Sequence, residues 1–156
     1  MRKFFLTLGY SGLSPKAPGT VGSIVALILA LVLLKYISIT TLFLLAILIS
    51  AFAVKQIDIY EKEVGAHDGS EIVIDELAGL WIALAIANAT SDNYIVAALA
   101  FVYFRLFDIW KPSIIGKIDR DVKGGWGVMG DDLVAGLFAG LCTSMTYFLL
   151  IKYNIL

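Results

Sequence analysis

Beyond residue 16, five long apolar stretches of this chain contain no Asp, Glu, Lys or Arg: 17–34, 36–54, 77–91, 93–104 and 133–151. A helix needs about 20 mostly apolar residues to cross the hydrocarbon core of a bilayer, within a range of about 17–25. The runs 36–54 and 133–151 meet that length well. The run 17–34 meets it too but opens with Pro18, Gly19 and Gly22, so its helix is expected to start near 20–23. The two middle runs are short and are expected to extend into polar flanks covered by protein rather than lipid. Composition agrees: 60% of the 156 residues are AVILMFWYC and 16% are charged, against roughly 45–50% and roughly 25% in soluble domains. The predicted fold class is all-α, a polytopic membrane helical bundle of about five membrane-embedded helices, forming one domain over 1–156.

Several function classes fall away on simple grounds. A net charge of −1 offers no broad basic surface to nucleic acid. Cys142 is the single cysteine, so an intrachain disulfide and a Cys-only zinc cluster are both excluded. His67 is the single histidine, which excludes chemistry that needs two. Residues 1–9 carry Arg2 and Lys3 before a short apolar stretch; the stretch is too short for a secretory leader, and 1–9 is read as mature chain.

Charge placement says more. If the five runs alternate in direction, 1–16, 55–76 and 105–132 share one face. That face holds 10 of the 12 basic residues and 12 of the 13 acidic ones. The basic excess marks it as cytoplasmic, and the carboxylates gathered beside it point to a polar site at the cytoplasmic helix ends. Residues 55–64 read as an extension of the second helix ending near Gly65, and 112–130 as a loop rich in Gly and charge.

Four constellations carry possible chemistry. In SGLSPKAPGTVGS, Thr20 and Ser23 stand at a helix start, where free N–H groups and the helix dipole favour phosphate or where either side chain simply caps the helix. Asp75 and Glu76 open an apolar helix; they complement its dipole or offer oxygen ligands to a hard cation such as Mg²⁺. Glu71 shares their face if that helix reaches back far enough. Arg105, Asp108 and Lys111 recur at i, i+3, i+6, either as an intrahelical ion pair or with Asp108 on a metal and the cations on phosphate; Pro112 ends the element at Lys111. Asp131 and Asp132 follow a glycine run and lead into another apolar helix. One cap needs one acid, so two adjacent acids favour a metal role. The five acids Asp75, Glu76, Asp108, Asp131 and Asp132 thus gather at the ends of three helices, with Arg105, Lys111 and Arg120 as nearby cations for an anionic substrate. Metal, carboxylates and cations together suit phosphoryl chemistry.

The segments SGLSPKAPGTVGS, HDGSEIVIDELAGLW, FRLFDIWKP and DRDVKGGWGVMGDDLVAG, in that order over 11–136, resemble the bacterial phosphatidylglycerophosphatase A family. The resemblance implies a Mg²⁺-dependent lipid phosphatase of the inner membrane that converts phosphatidylglycerophosphate to phosphatidylglycerol and phosphate. It places Asp75, Glu76, Asp108, Lys111, Asp131 and Asp132 on the family's motif positions, and Thr20 and Ser23 in its N-terminal loop. Residues 67–71 match the pattern less closely, so His67, Asp68 and Glu71 carry less of the assignment.

Other phosphatase chemistries fail on the residues. Cys142 lies in an apolar run with no Cys-x₅-Arg pattern, and one histidine cannot supply a nucleophile and its partner. Asp119 and Asp121 form a D-x-D, but Lys123 stands where aspartyl phosphatases need Thr or Val. Attack by metal-activated water is favoured over a carboxylate nucleophile. Lys111 and Arg105 would stabilise phosphoryl charge, and Asp132 or Asp108 would handle the water's proton. Two other classes stay open. A CDP-alcohol-type head-group transferase needs Ala-Arg after Asp68-Gly69 and does not have it, and an ion-transport subunit needs acids near the midplane.

Overall fold

The computed structural model describes residues 1–65 and 69–155; His67 and Asp68 lie outside them. Among the described residues the chain is all helical: α1 Arg2–Leu6, a 3₁₀ turn at Ser11–Leu13, α2 Pro18–Leu33, α3 Ile39–Val64, α4 Ile74–Ile86, α5 Tyr94–Trp110, α6 Ile114–Asp121 and α7 Gly125–Lys152. Each apolar run seeds one of the five longer helices. The expected stop near Gly65 holds: α3 ends there in a left-handed cap with φ +70°. The stop at Lys111 holds as well, with φ +45°.

Three expectations are corrected. The 112–130 segment is not all loop, because it contains α6 and the first turns of α7. Helix α2 starts at Pro18, earlier than 20–23, because proline at the first helical position needs no hydrogen-bond partner for its nitrogen. The count of about five membrane-embedded helices also narrows: α3 and α7 are the two described helices long and apolar enough to cross a membrane. At 1.5 Å per residue the 13 residues of α4 reach only about 20 Å, against about 30 Å of hydrocarbon.

Burial explains the short central helix. Ten of the residues of α4 are buried, from Ile74 and Glu76 to Leu84, so the other long helices enclose it. Its Trp81 indole donates to the Ala26 carbonyl of α2 at 2.9 Å. Small residues set the α4–α7 crossing. A Cβ on Gly79 would sit 2.5 Å from the Asp132 carbonyl oxygen, and one on Gly136 would strike the Gly79 carbonyl. Such close backbone approach is how helices pack where solvent gives no apolar driving force. The outer surfaces of α3 and α7 present Leu44, Leu48, Phe52, Leu141, Met145 and Phe148.

The helices alternate in direction, which sorts their ends into two poles. At one, the start of α2 meets the start of α4 and the end of α5. There Asp58 near the end of α3 accepts a 2.6 Å hydrogen bond from the Gly125 N–H that opens α7. At the other, Asn93 donates to Tyr147 at 2.8 Å and Ser144 to the Ile86 carbonyl at 3.2 Å.

Candidate active site

At the charged pole lies a cleft of about 230 Å³. Its walls include Pro18 and Gly19 of α2, Asp75 and Glu76 of α4, Asp108 and Lys111 at the end of α5, Asp119 of α6, and Asp131 and Asp132 of α7. The five acids singled out in the sequence therefore meet in one place. They converge because α4 and α7 start, and α5 ends, at the same pole.

The cleft has two electrostatic halves. In the first, Arg105 Nη1 pairs with Glu76 and lies 2.6 Å from Asp108 Oδ2. The same nitrogen reaches Ser23 Oγ at 3.2 Å, and Nη2 reaches Thr20 Oγ1 at 3.4 Å. Ser23 Oγ in turn donates to Glu76 Oε2 at 2.5 Å. Gly19 leaves room for this network, since a Cβ there would strike Glu76 Oε1. In the second half, Lys111 Nζ sits 2.5 Å from Asp119 Oδ1 and 2.7 Å from Asp131 Oδ2. Burial pulls the Lys111 ammonium down, but its hydrogen bonds to Asp119 and Asp131 outweigh this and hold its pKa above the ordinary 10.5.

Between the halves, Glu76, Asp108 and Asp132 each offer a carboxylate oxygen, all within 4.8 Å of one another. Among the described residues, six carboxylates stand around this cleft against the two cations Arg105 and Lys111. Asp75 and Asp132 have no ion-pair partner among the described residues, and the buried Asp131 Oδ1 has no hydrogen-bond partner there. Buried charge of one sign is costly unless compensated. The donor set is all oxygen, which suits a hard divalent cation over a soft one.

Residues 4–147 match the family model described as phosphatidylglycerophosphatase A. The chain belongs to the phosphatidylglycerophosphatase A family. Membership makes it a phosphatase by class. It is 42% identical to phosphatidylglycerophosphatase A of Escherichia coli over 137 residues, covering 86% of this chain and 77% of that one. With the Haemophilus influenzae phosphatidylglycerophosphatase A it shares 36% over 135 residues, 86% of this chain and 82% of the other. A Bacteroides thetaiotaomicron protein provisionally named phosphatidylinositol-3-phosphatase is 37% identical over 132 residues, 83% and 82% of the two chains. No solved structure matches the chain.

Against this phosphatidylglycerophosphatase A framework, several sequence expectations shift. Thr20 and Ser23 do not line the cleft; they face Arg105 and Glu76, and neither caps α2. Arg105 is likewise turned to Glu76 and Asp108 rather than to the cleft, so its intrahelical pair with Asp108 does form. Arg120 is exposed on α6 and outside the cleft wall. Asp131 is no cap, because α7 begins at Gly125 and Asp58 answers that N–H. Helix α4 starts at Ile74, so Glu71 does not share its face. Glu71 instead accepts from the Tyr60 hydroxyl and pairs with Lys3 at 2.9 Å. The Tyr60 hydrogen bond first, then Lys3, holds the Glu71 carboxyl below the usual range. Asp119 was missed as a site residue. Its signal was its place two turns after Lys111 on a segment read as loop.

Proposed function

We propose that this chain is a Mg²⁺-dependent phosphatase that converts phosphatidylglycerophosphate to phosphatidylglycerol and phosphate. The observation that carries this reading is the convergence of Glu76, Asp108 and Asp132 from three helices beside Lys111. Those three carboxylates would hold the cation, with Asp131 close by. Mg²⁺ bound there supplies Lewis-acid polarisation of the phosphomonoester and offsets its repulsion from the acids. Lys111 has three N–H donors and spends two on Asp119 and Asp131, leaving one for a phosphoryl oxygen. Arg105 keeps Glu76 and Asp108 in place from behind. Among the described residues, Asp75 and Asp132 are the cleft acids without an ion pair, so a carboxylate oxygen of one of them would take the proton of the attacking water. The water oxygen bonds to phosphorus as the bond to the glycerol oxygen breaks. The departing oxygen takes a proton from solvent in the cleft to give the alcohol, and the carboxylic acid later returns its proton to solvent.

The same reading places the whole chain, as one domain, in the cytoplasmic membrane of a bacterium. Helices α3 and α7 cross it, and the charged pole faces the cytoplasm. The apolar outer surface and the one-sided charge support this. The carboxylates lie at helix ends, which does not favour an ion pathway through the midplane, and the Ala-Arg that a CDP-alcohol-type transferase needs after Asp68-Gly69 is missing from the sequence.

The deciding assay is phosphate release from phosphatidylglycerophosphate in detergent, with and without EDTA. Release that EDTA stops and Mg²⁺ restores is expected; no release with Mg²⁺ present overturns the activity. Phosphatidylinositol 3-phosphate run in parallel separates the substrate named for the Bacteroides relative.

A further inference from the structure

The segment joining α5 to α7 has an outer face that the cleft does not use. It exposes Trp110 by 73%, Ile114 by 51% and Trp126 by 65%. Between the two tryptophans stand Lys117, Arg120 and Lys123, all exposed, against one exposed acid, Asp121. The inner face of α6 is different: Ile115 and Gly116 are buried, and Asp119 faces the cleft. Val122 belongs to both, exposed and also part of the cleft wall.

Two exposed indoles bracketing a row of cations have the chemistry of a lipid headgroup layer. An indole sits well where one end is apolar and the other wet. Lysine and arginine beside it are drawn to anionic headgroups. An amphipathic helix of this kind lies along a membrane surface rather than across it. This segment also stands at the charged pole, where the apolar surfaces of α5 and α7 end.

We propose that α6 and its flanking tryptophans lie in the headgroup layer of an anionic leaflet, so that the cleft mouth beside Val122 opens at the lipid surface. A phosphomonoester lipid then reaches Lys111 with its acyl chains still in the bilayer, and Lys117 and Lys123 gather it from the leaflet. This rests on the reading that the cleft acts on a phospholipid, but the contact with the leaflet can be measured without turnover.

The test uses the full chain in nanodiscs, with lipids brominated near the carbonyl end or at mid-chain and with acrylamide in the water. The contribution of Trp126 is the difference between the unaltered chain and Trp126→Phe, and Trp110→Phe reports Trp110. Both residues are exposed, so the fold tolerates the change. Loss of emission to the shallow bromine, with little loss to mid-chain bromine or acrylamide, is expected. Quenching by acrylamide without quenching by lipid places the segment in water or against a soluble partner and overturns the proposal. Strongest quenching at mid-chain overturns it too. In neutral micelles, Lys117→Gln/Lys123→Gln should raise KM, as mole fraction of substrate, by about fivefold per cation, the equivalent of about 1 kcal/mol each, with kcat unchanged. An unchanged KM removes the gathering role. An inactive chain that still shows shallow quenching sinks the phosphatase reading and keeps the surface contact.

Discussion

Lys111 Nζ lies 2.7 Å from Asp131 Oδ2, and this ion pair ties the end of α5 to the second turn of α7. Lys111 holds this place in a left-handed backbone conformation, φ +45°, just before Pro112. Non-glycine residues adopt that conformation at a cost, and such strain gathers at functional sites.

Lys111→Met should lower phosphate release by about 10²-fold, the scale of one preorganised donor to developing charge. Lys111→Arg should recover part of it. Initial rate per folded protein, with folding judged by size-exclusion profile, is the measurement. A near-normal rate for Lys111→Met would remove it from the site.

The pH dependence follows from the raised Lys111 pKa. A cation whose folded pKa is raised contributes stability that is fully present below its unfolded pKa and is lost only as pH rises through the folded one. For Lys111 that upper limit lies above 10.5. Its pairs with Asp119 and Asp131 should therefore survive mildly alkaline buffer. Any loss of activity between neutrality and about pH 10, near the ordinary lysine value, should be the same in Lys111→Arg as in the unaltered chain. A loss over that range that Lys111→Arg abolishes would contradict this.

Asp132→Asn and Asp75→Asn test the uncompensated charge. Both residues lie in the cleft wall without an ion-pair partner among the described residues. Neutralising either should raise the melting temperature in EDTA, because burying an unpaired charge is costly. Each should also lower the rate by roughly 10²-fold or more, the scale of one acid–base contribution. A lower melting temperature in both variants would mean the charges are compensated in the folded chain.

Cation binding should be visible without turnover. A ligand that binds only the folded state stabilises it, by about 2.7 kcal/mol at 100 times its Kd. Mg²⁺ added to the chelated protein should raise its melting temperature, and Asp132→Asn should blunt that shift. A shift with Zn²⁺ and none with Mg²⁺ would redirect the assignment.

Gly79→Ala probes the helix crossing. The added Cβ would meet the Asp132 carbonyl at 2.5 Å and the Phe104 ring at 2.6 Å. Overpacking of this kind costs about 1–3 kcal/mol, and here it also pushes Asp132 away from Glu76. Stability and activity should fall together; a variant with unchanged melting temperature would show that the crossing is looser than drawn.

Topology is checked by single cysteines on a Cys142→Ala background. Position 117 should be shielded from an impermeant thiol reagent in intact cells and position 92 should be labelled. Labelling at 117 in intact cells reverses the orientation.

The sequence by itself determined the five apolar helices, because a long apolar run with few Gly or Pro breakers, set in a bilayer or a packed core, must satisfy its backbone hydrogen bonds within itself. It also pointed to Asp75, Glu76, Asp108, Lys111, Asp131 and Asp132 lying at one pole, since alternating runs leave them there, and all six line the same cleft. Family motifs over 11–136 said the same. Tertiary structure decided who partners whom. Ser23 and Thr20 face Arg105 rather than the cleft because α2 packs its first turns against α4 through Gly19 and Gly22. Asp119 enters the site because α6 folds back onto α7, a packing that a Gly- and charge-rich stretch does not announce. Asp58 replaces Asp131 at the start of α7 from a residue 67 positions away. Spacing along a chain fixes which residues share a helix face or end; the contacts between helices depend on how closely their backbones approach, and that was set by Gly79 and Gly136 only once α4 and α7 crossed.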